Sequence, residues 1–159
     1  MASPEIAGRH DKDKWLALYS DDAIVEDPVG TPASQKGNRP GRLGDELGRF
    51  YEAFIAASGI EMVSRRDLVC DMHVFRAVDI HTTNLKTGLT MTVPANLLYE
   101  LVVRNGSLKI RRMQAHWEVN RISRILMDQG LLGVRTIVVM NWSMLRAFGP
   151  KWLMDYFKS

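Results

Sequence analysis

The chain has 159 residues, 46% of them apolar, with a formal net charge of +3 and a single cysteine. That length suits one domain with a core large enough to line a cavity, and one cysteine excludes an internal disulfide. The N-terminal stretch lacks the apolar block of a secretory signal, and no run reaches the roughly 18 uninterrupted apolar residues of a membrane span. The expectation is a soluble or peripheral cytoplasmic protein.

Residues 12–19 read as a short helix, with Asp11 as cap and Trp15, Leu16, Leu18 and Tyr19 as its apolar face. Ser20, Asp21 and Asp22 end it, residues 23–26 form a short strand, and Pro28 closes that strand. Residues 30–44 make a long irregular loop beside Asp27. Leu43, Leu47, Phe50, Tyr51, Phe54 and Ile55 then recur at helical spacing, and Gly59 stands where a left-handed cap belongs.

From there to residue 119 the chain alternates and is rich in β-branched residues, predicting strands over 60–69, 72–83, 89–104 and 108–119. Asn105-Gly106 is a type I′ hairpin signal, because both residues tolerate positive φ. Cys70, in one of these strands, reads as a small packed residue rather than a nucleophile. Helices followed by hairpin-linked strands define an α+β fold: a curved antiparallel or mixed sheet wrapped cone-like around the N-terminal helices.

The segment after residue 120 is apolar at helical spacing and interleaved with arginine and lysine, with breaks near Gly130-Gly133 and Gly149-Pro150. Residues 119–159 carry +4 and the remainder −1. The division is a cone domain over 1–120 and an amphipathic helical extension over 121–159. That extension either packs across the open cone or as a dimer contact, or lies on a membrane surface.

Three blocks resemble the bacterial ketosteroid isomerases: LYSDDAIVEDPVG, GRFYEAF and MQAHWEVN, over about residues 9–120. The resemblance implies a cofactor-independent enzyme, a homodimer, and Asp27 as the base that moves a proton on a steroid or similar apolar ketone. It also implies Tyr19 and Tyr51 as hydrogen-bonded phenols under the oxyanion site, Trp117 bordering the base, and Glu100 at the position of the second acid. The family's first-helix oxyanion tyrosine has no counterpart, Ser3 standing at about that place.

Independently of the resemblance, an aspartate at the rim of an apolar hollow is a usable base, because partial desolvation raises its proton affinity. Asp27-Pro28 also reads as a strand terminus with a turn-capping carboxylate. Tyr19 and Tyr51 read equally as core residues. Counted back from Trp117, which the resemblance places beside the base, strand parity puts Met113 and Ala115 on its face, so these three, with Phe54 from the helix, form the expected lining for a hydrophobic small molecule. His116 points away on the same count, and Arg111 falls opposite Glu100, where a cross-strand ion pair is an equal reading.

The four histidines show no metal-ligand spacing, and no phosphate loop occurs, so neither metal, nucleotide cofactor nor nucleic acid is expected. Two other readings stay open: a steroid or lipid carrier without turnover, and a dehydratase or cyclase of the same fold. A dehydratase needs His81 or His116 facing Asp27, and an epoxide hydrolase an Asp, Arg and Asp set.

Overall fold

The computed structural model describes residues 11–37 and 44–156. Ser3, loop positions 38–43 including Leu43, and the last three residues lie outside the described residues. Asp11 caps α1 (Lys12–Ala17) by accepting from the Lys14 amide. The helix is shorter than its apolar spacing predicts because side chains from elsewhere take its last carbonyls. Lys36 Nζ donates to the carbonyls of Leu16 and Tyr19 at 3.0 and 2.8 Å, and Lys109 Nζ to that of Ala17 at 2.5 Å. Tyr19 therefore opens strand β1 (Tyr19–Glu26), and Ser20, Asp21 and Asp22 lie within it instead of ending a helix.

After a short β2 (Ser34–Gln35), Asp45 caps α2 (Glu46–Phe50), accepting from the Leu47 amide. The helix widens into one π turn over Tyr51–Ile55, closed by the Ala56 amide on the Tyr51 carbonyl at 2.9 Å. The chain then runs straight into β3 (Ser58–Cys70), so Gly59 is a strand residue and not the expected cap. Strands β4 (His73–Asn84), β5 (Thr90–Arg104) and β6 (Ser107–His116) follow as antiparallel hairpins. Asn105 and Gly106, at φ 51° and 72°, make the tight turn between the last two.

The sheet order is β2-β1-β6-β5-β4-β3, with β1 parallel to β6 and every other pair antiparallel. Register shifts between Ser64 and Arg66, between Glu100 and Leu101, and between Tyr19 and Ile24 interrupt three ladders. Each such bulge adds local twist and bend, which curls the sheet. The helices fill the concave face: Trp15 lies 4.6 Å from the Tyr19 ring, 5.4 Å from Tyr51 and 6.3 Å from Phe50. Cys70 ends β3 exposed to solvent, a correction to its expected burial, because the strand outruns the helices that cover the sheet.

The C-terminal segment packs on the cone. In α3 (Val119–Asp128), Ile122 and Leu126 bury against Leu89. α4 (Gly130–Tyr156) begins at once and kinks at Gly149, where φ is 80°. Gly133 makes the sharp α3–α4 corner feasible: a Cβ there would sit 1.6 Å from the Leu126 carbonyl oxygen. The fully buried Thr136 hydroxyl lies 2.9 Å from Thr87 Oγ1 on the β4–β5 turn and 2.8 Å from the Leu132 carbonyl. The Arg49 guanidinium lies 5.8 Å from the Phe148 ring, joining α2 to the far end of α4.

Candidate functional site

Alternation along the bent strands sends one set of side chains into the hollow between sheet and helices. On β5 these are Met91, Val93, Leu97 and Tyr99; on β6 and just beyond it, Met113, Ala115 and Trp117. Phe50 and Phe54 enter from α2 and its π turn, with ring centroids 4.9 Å apart, and Ile122 and Met140 enter from α3 and α4. The result is a cavity of about 190 Å³ in which, among the described residues, Asp27 is the only acidic or basic lining residue.

Asp27 follows β1 directly, held level with the end of β6 by the Val29 amide on the Ala115 carbonyl at 2.9 Å. The Trp117 indole Nε1 donates to Asp27 Oδ1 at 2.6 Å. Burial raises the Asp27 carboxyl above the ordinary carboxylate range, and the Trp117 hydrogen bond offsets part of that rise. The neighbouring Glu26 points out of the cavity and accepts from Arg112 at 3.0 Å and Gln114 at 2.5 Å.

The structure brings Asp27, Tyr19, Phe54, Met113, Ala115 and Trp117 to one cavity. Glu100 is not there. It points outward and is ion-paired with Arg111, the extra residue of the β6 bulge. A shift of one position along a strand reverses the face, and the residue that looks inward is Tyr99, buried and paired in register with Met113. The inward alternation of residues 91, 93, 95, 97 and 99 was the available signal.

Tyr51 is a second correction. It is 2% exposed in the aromatic packing beside Trp15, does not line the cavity, and its hydroxyl has no hydrogen-bond partner among the described residues. The expected chain of linked phenols therefore does not run through it. Its seat on the wide π turn places it behind the lining, and burial raises its pKa.

Neither histidine that a dehydratase would use faces Asp27. His81 Nδ1 meets Thr92 Oγ1 at 2.8 Å on the other face of the sheet, and His116 is exposed. Among the described residues no cluster of His, Cys, Asp and Glu is arranged to hold a metal. A larger open groove, about 700 Å³, runs past Lys36 and Lys109, but those ammonium groups are engaged with the α1 carbonyls.

No protein-family model matches the sequence, and no curated protein sequence matches it. Solved structures do. The structure of Rv0760c from Mycobacterium tuberculosis in complex with estradiol-17beta-hemisuccinate is 24% identical, with TM-score 0.59, over 75% of this chain and 90% of that one. The Delta 5-3-ketosteroid isomerase from Mycobacterium sp. is 24% identical, with TM-score 0.59, over 74% and 88%. SalBIII, described as an epoxide hydrolase/cyclase-like enzyme, is 19% identical, with TM-score 0.58, over 73% and 84%. The chain thus has the cone-shaped fold of the ketosteroid isomerase-like proteins. That fold supports several chemistries, so the reaction has to be argued from the cavity.

Proposed function

We propose that the protein is a cofactor-independent enzyme that moves a proton on a steroid-like hydrophobic ketone, with Asp27 as the base. The observation that carries this reading is the Asp27 carboxylate, raised in proton affinity by burial, held by an indole N–H, and among the described residues the one charged group lining a mainly apolar cavity. A positioned base of raised proton affinity takes a carbon-bound proton and returns it, contributing about 10²–10⁴ in rate.

Proton removal beside a carbonyl builds negative charge on its oxygen, and a buried donor must meet that charge. Tyr99 and Tyr19 are the phenols that line the cavity. By register Tyr99 stands two residues along and two strands across from Asp27, about 12 Å between backbones. Both residues line the same cavity, and a conjugated ketone bound between them would have its α-carbon near one and its oxygen near the other. Ser58, Thr82 and Asn84 give the cavity a few polar contacts on β3 and β4, suited to a second oxygen on an elongated substrate.

The steroid-bound neighbour and the isomerase neighbour support this substrate class, as does a computationally designed 17-OHP binder, 21% identical with TM-score 0.59. The carrier reading keeps the cavity and drops the turnover. Incubating the wild type and Asp27→Asn with a β,γ-unsaturated 3-ketosteroid separates the two. Conversion to the conjugated enone by the wild type alone supports catalysis, whereas equal binding by both proteins without conversion assigns a carrier.

A further inference from the structure

Helix α4 is apolar on both faces, yet the protein covers only one. Its segment Gly130–Pro150 is long and apolar enough to cross a membrane, and only 17% of its most apolar stretch is buried. The inner face is committed to the cone: Gly133 presses on the Leu126 carbonyl, Thr136 reaches Thr87, Met144 is buried, and Met140 joins the cavity wall. At 3.6 residues per turn, the face opposite Met140 carries Leu131, Val138 and Trp142. These are 91%, 62% and 60% exposed.

A helix lying on a soluble domain ordinarily turns a polar face to water. Here the outward polar groups are cationic: Arg135 and Arg146 are exposed on the same side, and no acidic residue occurs between Gly130 and Pro150. Met127, at the end of α3, adds another exposed apolar side chain, and Arg121 and Arg124 are exposed on α3. An apolar stripe with a tryptophan and flanking arginines matches the boundary between lipid headgroups and acyl chains. A second copy meeting this face would bring arginine toward arginine with no carboxylate between Gly130 and Pro150 of either copy, which disfavours it.

We propose that the outer face of α4 seats the protein on an anionic lipid surface. Leu131, Val138 and Trp142 enter the acyl boundary, and Arg135 and Arg146 meet the headgroups. Because Met140 lines the cavity from the reverse side of the same helix, the seated helix stands between bilayer and cavity, where an apolar ligand arriving from lipid would pass. This docking is independent of whether Asp27 catalyses any reaction.

The test is sedimentation of the full chain with vesicles of phosphatidylcholine alone, and of phosphatidylcholine with phosphatidylserine. Recovery with the anionic vesicles only is expected. It should be lost in the double variant Val138→Gln, Trp142→Gln, whose circular dichroism and melting should match the wild type because both positions are exposed. Arg135→Gln and Arg146→Gln should each weaken partitioning about fivefold at low salt. Recovery in the supernatant with both vesicle types overturns the proposal, as does equal binding to both. A solution dimer that the double variant dissociates, without vesicle binding, assigns the face to a second copy and overturns it as well.

Discussion

Trp117 Nε1 lies 2.6 Å from Asp27 Oδ1, and this hydrogen bond opposes the effect of burial on the carboxyl. Burial disfavours the carboxylate and the indole favours it; burial is the larger effect, so the group titrates above its ordinary range. Trp117→Phe removes only the favourable contribution. The acid limb of the kcat/KM profile for a 3-ketosteroid should therefore move to higher pH, and a shift to lower pH would contradict this balance.

The same shift has a consequence for stability. Asp27 has a folded-state pKa raised above its unfolded value. Its contribution to stability is then full below the unfolded pKa, about 3.9 for a model aspartate, and is lost as pH rises through the folded pKa. Asp27→Asn keeps an acceptor for Trp117 and removes the buried charge. Thermal melts should show the variant more stable than the wild type at neutral pH, with the difference closing in acid; a variant less stable at neutral pH would place the carboxylate in a more favourable setting than the cavity provides.

Tyr99 and Glu100 are adjacent in sequence and lie on opposite faces of β5, Tyr99 lining the cavity and Glu100 paired with Arg111. Tyr99→Phe should lower kcat by about 10²-fold while leaving KM nearly unchanged, as expected when a donor acts on charge that develops during reaction. Glu100→Gln breaks an ion pair with Arg111 on the outer face and should leave kcat at the wild-type value. Steady-state kinetics of the two variants distinguish the assignments, and the reverse pattern would return the role to the acid.

Gly133 fixes how the C-terminal helices cover the cone. A methyl group there would collide with the Leu126 carbonyl oxygen, backbone that cannot rotate aside. Gly133→Ala should destabilise the protein by about 1–3 kcal/mol, the usual cost of overpacking, visible as a lower Tm. An unchanged Tm would mean that α3 and α4 do not hold this corner in solution.

The sheet and its hairpins were legible because β-branched alternation and the Asn105-Gly106 turn act locally. Tyr19 was misread as helical because what ends α1 comes from Lys36 and Lys109, distant in sequence. For Glu100 the sequence left two readings open, and the ion pair with Arg111 is the one found; that Glu100 faces away from the cavity becomes visible only when the strands are paired and the bulge at Arg111 is placed. The cavity-facing set Met113, Ala115 and Trp117 followed from parity once the resemblance had placed Trp117, since no bulge interrupts that stretch. Tyr51 fell behind the lining because α2 widens into a π turn, which a spacing of three and four does not announce.

The central claim is that Asp27 removes a carbon-bound proton beside a carbonyl. Its most direct test is proton NMR of a 3-ketosteroid in deuterium oxide, following loss of the α-proton signal with the wild type and with Asp27→Asn. Washout at a rate set by wild-type enzyme and absent in the variant is the predicted result. Washout at an equal rate in both, or no washout together with no conversion of a β,γ-unsaturated 3-ketosteroid to the conjugated enone while the steroid is bound, would contradict the claim.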